Sequence, residues 1–302
     1  MEKESQADDP MGILQVALAT AIMAVSPFLL KAASASFSSA QIVFYRYLAA
    51  GAMMLAAAKP SDLLAFLEKH FKASLALSFF GISFGYFAFI ETIRLLPVGL
   101  AVFITDSYPV FAIGLGSAVL GEKLSKAKIA ATLAVFAGIW LVANPSGAES
   151  LPLVGVATGL ACLASWATST VISKHLSGKT GPATLTASRF LLGAALMSPL
   201  LVASGQFIPS APVFGWALLG ALSLMAALSQ YSYYAGMAKT SLATTAVIEA
   251  SSPAITLAIA VALLGESISA ASFAWCLVIL FAVIAVSLPA GKASASTKAC
   301  PT

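Results

Sequence analysis

The segment Tyr108 to Ser125, YPVFAIGLGSAVLGEKLS, is written a second time from Ser252 to Ser269 as SPAITLAIAVALLGESIS. Pro109 and Pro253, Gly121 and Gly265, Glu122 and Glu266, and Ser125 and Ser269 coincide at one offset of 144 residues. The match extends outward. FYRYLAAGAMM around Arg46 falls on ASRFLLGAALM around Arg189, and Lys31 on Lys174, at an offset of 143, while GYFAFI from Gly85 falls on SQYSYY from Ser229 at 144. The chain therefore reads as two related halves, 11–144 and 151–289, joined by a linker 145–150 and flanked by tails 1–10 and 290–302. Its fold has to be one that a duplicated unit can build with itself.

What is duplicated follows from hydropathy. Sixty per cent of the residues are hydrophobic and 9% charged, with a mean hydropathy of +0.95, against about a quarter charged in a soluble domain. A hydrocarbon core about 30 Å thick needs roughly 20 apolar residues per helix. Ten runs meet that need: 11–31, 41–58, 73–96, 98–120, 127–143, 151–174, 183–204, 213–238, 241–264 and 270–288. Barrel strands would be shorter and alternate in polarity. The expectation is an all-α integral membrane protein with ten transmembrane helices.

Five spans per half is an odd number, so the second half enters the membrane from the side opposite to the first. That is the inverted-repeat plan of transporters. Twelve of the 16 Lys and Arg residues fall at connections on one side, where Lys59, Lys69, Lys72, Lys123, Lys126 and Lys128 cluster, and only Lys31 and Arg94 on the other. The bias places both termini in the cytoplasm and explains the net charge of +4 without nucleic acid. The polar, mixed-charge start MEKESQADDP does not read as a cleavable signal. Three cysteines, two of them inside spans, define no disulfide framework. Residues 61–72, SDLLAFLEKHFK, read as a short amphipathic connector on the cytoplasmic surface.

Charged side chains inside a bilayer need a reason. Arg46 and Arg189 are repeat-equivalent, near opposite faces. They either snorkel to headgroups or face the bundle as gates or as attractors of a substrate carboxylate. Asp106 and Glu249 lie about eight residues into their spans, ~12 Å deep at 1.5 Å per residue. They either pair with Arg46 and Arg189 respectively or couple transport to protons or another cation. Thr245, Glu249, Ser252 and Thr256 form a polar stripe on the ninth span, with Thr105 as the repeat equivalent of Glu249. Cys162, Ser165, Ser169 and Ser173 form another on the sixth span beside Trp166, where a serine often bonds only its own i−4 carbonyl. Gln230, Tyr231, Tyr233 and Tyr234 cluster in the eighth span, and Tyr86 and Tyr108 add aromatic area from the first half. Such walls suit flat or cationic ligands, and helix packing accounts for any single ring equally well. Gly81 and Gly85 present a small face for helix packing. Pro27, Pro109 and Pro253 free backbone carbonyls and kink their spans. Gly121-Glu122 and Gly265-Glu266 read as helix stops.

Catalytic chemistry finds little footing. His70 and His175 sit at connections without metal-ligand spacing, and no phosphate loop, nucleophile elbow or paired-carboxylate motif appears. No cofactor and no metal are expected.

Ten spans in a five-plus-five duplication, Arg46 and Arg189 early in the second and seventh, Pro109 and Pro253 in the fourth and ninth, and Gly-Glu at the ends of those two resemble the drug/metabolite transporter superfamily, EamA type. The resemblance covers residues 11–289. It implies a secondary transporter of the bacterial inner membrane, with a central cavity walled by spans one to four and six to nine and peripheral fifth and tenth spans. Trp166 and Tyr108 resemble, in position, cavity aromatics of the family's aromatic amino-acid exporters.

Two functions follow as expectations. One is a carrier that exports a small organic solute, an amino acid or related metabolite, by alternating access, with proton or counter-substrate coupling, as a monomer or homodimer. The other is a non-transporting membrane sensor or scaffold in which the polar stripes only hold helices together.

Overall fold

The computed structural model describes residues 9–108, 152–176, 179–237, 239–240, 248–249 and 251–265, together with 111–112, 115, 133, 137, 273–274, 277–278 and 281. Its helices are α1 (Pro10–Ala33), α2 (Ser39–Ala57), α3 (Pro60–Ser78), α4 (Phe84–Leu95), α5 (Val98–Thr105), α6 (Leu153–Leu176), α7 (Pro182–Ala203), α8 (Val213–Met237) and α9 (Ser252–Leu264), with a π-helical turn, Phe79–Ser83, joining α3 to α4. Six helical stretches among the described residues are long and apolar enough to cross a membrane.

Local chemistry sets the boundaries. Pro10, Pro60, Pro182 and Pro253 stand in the first turns of α1, α3, α7 and α9, where a missing N–H costs nothing. Ser38 and Gln41 cap α2 reciprocally. Leu96, before Pro97, is extended and ends α4. Gly265 takes a left-handed conformation, φ 61°, and stops α9, as the sequence predicts. Gly121, Glu122 and Glu266 lie outside the described residues, as do most of the fifth and tenth spans.

Residues 61–72 form an amphipathic segment that runs into the helical stretch Pro60–Leu95 through a kink. The backbone breaks at His70 (φ −127°, ψ 21°), and Leu63 and Phe66 are buried while Leu64 and Phe71 are exposed. The fourth span is not one helix: α5 ends at Thr105, Asp106 and Ser107 form a turn, and helix resumes at Tyr108. In the second half Ile248 and Glu249 are helical, Ser251 is a turn residue and α9 starts at Ser252. Ser107 and Ser251 are repeat equivalents, each two residues before the shared proline.

The core is built across the repeat. α2 packs chiefly along α7, α1 along α8 and α4 along α6, and α5 contacts both α6 and α9. At the centre of the α2–α7 contact the repeat-equivalent rings of Tyr47 and Phe190 lie 4.8 Å apart, both almost fully buried. Gly51 receives Leu191, and Gly193 receives Ile82. The start of α1 meets the end of α8 through the Asp9 N–H, which donates to the Lys239 carbonyl at 3.3 Å. At the end where α1 finishes, Arg94 donates to the Ser34 and Phe37 carbonyls at 2.8 and 2.7 Å, and Gly155 of α6 packs on Leu95 and Leu96.

The loop after α7 is clasped at that same end. Gly205, at φ 66°, lets the N–H groups of Gln206 and Gly205 return to the carbonyls of Leu201 and Val202. Gln41 Nε2 then donates to the Gln206 carbonyl at 2.8 Å and the Tyr45 hydroxyl to that of Phe207. Phe37 and Tyr45 set their rings edge-on to Trp216, at 5.2 and 5.3 Å.

A Cβ at Gly193 would fall 2.5 Å from Ile82 Cγ2 and 2.6 Å from its Cβ. Gly193→Ala is therefore expected to destabilise by about 1–3 kcal/mol from overpacking, despite a helix-propensity gain of about 1 kcal/mol. In an Ile82→Ala background, where the Cγ2 clash is gone and the Cβ contact at 2.6 Å remains, the same change should cost less. Thermal unfolding of the four proteins in detergent reads this coupling.

Candidate functional site

The two interrupted helices bring their acids together. Tyr108, where helix resumes in the first half, donates its hydroxyl to Glu249 Oε1 at 2.5 Å, and Tyr233 of α8 donates to Oε2 at 3.1 Å. Asp106 lies beside Ser252 and within electrostatic reach of Glu249. Tyr108 and Ser252 are repeat equivalents. Each acid thus has beside it the residue that precedes the proline in the other half.

The arginines are held the same way twice. Arg46 Nη2 donates to Ser26 Oγ at 3.1 Å and Arg189 Nη2 to Ser169 Oγ at 3.4 Å, with the serine 20 residues before the arginine in both halves. Arg46 Nε also donates to the Leu222 carbonyl at 3.2 Å, and Arg189 Nη1 to the Tyr234 hydroxyl at 3.2 Å. Arg46 is buried, so it does not snorkel; its guanidinium carbon lies 5.1 and 5.2 Å from the ring centres of Tyr47 and Tyr86. The expected pairs Asp106–Arg46 and Glu249–Arg189 are not formed: among the described residues the ion pair is Glu91–Arg94, at 3.8 Å. Hydroxyls and carbonyls within reach of each guanidinium take the place of a carboxylate.

Between arginines and acids runs an aromatic wall. Trp166 lies 5.1 Å from Tyr86, 5.2 Å from Phe89 and 5.9 Å from Tyr108, and Tyr86 lies 5.1 Å from Tyr47. Tyr86, Tyr108, Trp166, Arg189, Tyr233 and Glu249 are all partly exposed, as the lining of a chamber would be. Gly81 and Gly85 make the wall possible. A Cβ at Gly81 would fall 2.6 Å from Arg189 Nη2 and from Ser169 Oγ, and one at Gly85 2.8 Å from Trp166 Nε1. The small face expected to admit a helix backbone admits these side chains instead. The π turn around Gly81 is stitched on both sides. Ser165 Oγ donates to the Phe80 carbonyl at 2.7 Å and Ser83 Oγ to that of Gly193 at 2.9 Å. π turns recur at functional sites because they re-aim side chains.

The α6 stripe faces inward: Ser165 and Ser169 bond across helices, and Ser173 lies 3.1 Å from the Tyr234 hydroxyl. The bonds back to their own i−4 carbonyls belong to Thr168 and Thr170, off the stripe. Other residues of the polar stripes make contacts of their own. Thr105 is fully buried and bonds the Ala101 carbonyl at 3.0 Å, Ser252 is buried against Asp106, and Thr256 pins α9 to the Ala24 carbonyl of α1 at 3.0 Å. Gln230 is partly buried and Tyr231 turns outward. Pro27 lies buried inside a continuous α1, and Pro253 in the first turn of α9. Pro109 and Thr245 lie outside the described residues. Ser26, Tyr47 and Phe190 escaped notice in the sequence, although the alignment of the repeats sets Tyr47 opposite Phe190 and Ser26 opposite Ser169.

The EamA-like transporter family matches residues 10–144 and again 153–288, so the chain belongs to that family of membrane transporters, with one copy of the unit in each half. A "Riboflavin transporter" of Rhizobium johnstonii (strain DSM 114642 / LMG 32736 / 3841) is 28% identical over 149 residues, 49% of this chain and 47% of that protein. The chain thus aligns with about half the length of that curated relative. A protein solved by crystallography superposes over 91% of this chain and 95% of its own, at a TM-score of 0.61 and 18% identity, a likeness of fold alone.

Tyr108→Phe strips one donor from a carboxylate with two. It is expected to cost about 1–3 kcal/mol of stability, whereas Tyr231→Phe, whose ring is 42% exposed, should stay within about 0.5 kcal/mol of the parent. Unfolding of both variants in micelles measures the difference.

Proposed function

We propose that this chain is a secondary carrier that exports a small organic metabolite bearing a flat ring, an aromatic amino acid or related compound, across the bacterial inner membrane by alternating access. The observation that carries the proposal is the aromatic wall of Tyr86, Phe89, Trp166 and Tyr108, set between Arg46 and Arg189 on one side and Glu249 on the other. Rings 5–6 Å apart, all but the buried Phe89 partly exposed, offer stacking faces to a planar solute. A scaffold would have little use for charged groups that hold no counter-ion.

The contacts at the helix ends support an inverted arrangement. α1 starts beside the end of α8, whereas α6 starts beside Leu95 and Leu96, at the end where α1 finishes. Interrupted helices next to a central site are what such carriers use to change access. Ser107 and Ser251 mark the two interruptions, and Pro27, Pro109 and Pro253 serve as hinges. The lysine bias along the sequence supports cytoplasmic termini. Asp106 and Glu249, near one another and free of arginine, serve as the coupling groups. The name of the Rhizobium johnstonii relative favours a second substrate, riboflavin, whose flat heterocycle suits the same wall.

Proteoliposomes loaded with unlabelled aromatic amino acids should show saturable counterflow of labelled tryptophan, phenylalanine or tyrosine. Counterflow of riboflavin alone would establish the second substrate, and none for any solute would overturn the carrier. An imposed pH gradient is expected to drive uptake in the parent protein and not in Glu249→Gln, while counterflow persists in both. Gradient-driven uptake in the variant would remove Glu249 from coupling.

A further inference from the structure

Three buried nitrogens around Tyr86 have no acceptor in the described protein: Trp166 Nε1, Arg46 Nη1 and Arg189 Nε. Trp166 Nε1 and Arg189 Nε face one stripe of the π turn and α4. Each would lie 2.8 Å from a Cβ, at Gly85 and Gly81 respectively, one helical turn or about 6 Å apart. Arg46 reaches the same place across the Tyr86 ring. Every partner that the two guanidiniums do have, Ser26, Leu222, Ser169 and Tyr234, is a hydroxyl or a carbonyl. Among the described residues two positive charges therefore stand in an apolar bundle without an anion beside them, next to an indole N–H without an acceptor. Buried donors left in this condition are costly unless something else satisfies them.

We infer that Trp166, Arg46 and Arg189 form the recognition site for the carboxylate of a planar organic anion whose ring lies against Tyr86 and Trp166. The inference rests on the carrier reading and assigns the charged end of its substrate. A carboxylate supplies several in-plane lone pairs to N–H donors and neutralises guanidinium charge. The Glu249 end, already holding two tyrosine hydroxyls, offers a carboxylate only repulsion. The solute is thereby oriented with its anion on the arginine side.

Full-length protein in detergent is titrated calorimetrically with indole-3-acetate, L-tryptophan and 3-methylindole, which keeps the ring and lacks an acceptor, and with inorganic phosphate. At least one carboxylate should bind ten or more times as tightly as 3-methylindole and as phosphate. Trp166→Phe removes the N–H together with part of the ring, a loss of packing that 3-methylindole reports separately, and Arg189→Gln removes the charge. Each should weaken carboxylate binding about tenfold more than it weakens binding of 3-methylindole. Equal binding of ring and carboxylate, preference for phosphate, no carboxylate binding at all, or variants that weaken carboxylate and 3-methylindole alike each overturns the inference. Counterflow of solutes with no carboxylate preference sinks it while sparing the carrier. Carboxylate binding that depends on Trp166, with no counterflow of any solute, does the reverse.

Discussion

Two guanidinium groups inside an apolar bundle are the constraint around which the neighbouring helices are arranged. A charge in a low-dielectric interior is tolerable only where hydrogen bonds replace the water it gave up. Both halves meet the demand alike, with a serine on the first helix of the repeat, 20 residues before the arginine on the second. The differences lie in what else each arginine finds. Arg46 takes a helix carbonyl from α8 and two tyrosine faces, whereas Arg189 enters the space left by Gly81 in the π turn.

The duplication is visible as geometry because equivalent residues meet. Tyr47 touches Phe190 across the α2–α7 contact, and the residues before the shared prolines, Tyr108 and Ser252, each lie beside an acid of the opposite half. A contact between a residue and its own counterpart is the mark of a two-fold interface, here within one chain.

Much of this was legible from the sequence. The repeat offset identified Arg46 with Arg189 and Pro109 with Pro253, and hydropathy located spans whose ends agree with α1, α2, α6, α7 and α8 to within a few residues. Partners were less legible, because a periodicity assigns a residue to a face and does not say what lies opposite. Thr105 and Ser252 share faces with lining residues, yet one bonds its own helix and the other lies beside an acid across the break. The acids drew attention to arginines of opposite charge, while the structure gave them to tyrosine and serine. Gly81 and Gly85 were read for their spacing, and what occupies them, Arg189 and Trp166, comes from two other helices in the second half. The break at Asp106–Ser107 was missed because the run 98–120 is apolar on average and hydropathy does not register a turn, although Thr105, Asp106 and Ser107 ahead of Pro109 stand at the place.

The clasp over the loop after α7 is addressed to main-chain atoms: Gln41 and Tyr45 seek the carbonyls of Gln206 and Phe207 rather than their side chains. The phase of those carbonyls is set one residue earlier by the left-handed turn at Gly205. Such a latch is indifferent to spelling and sensitive to length. Related chains can drift in composition over this loop and still fasten it, whereas a single inserted or deleted residue would leave both side chains facing the wrong peptide group.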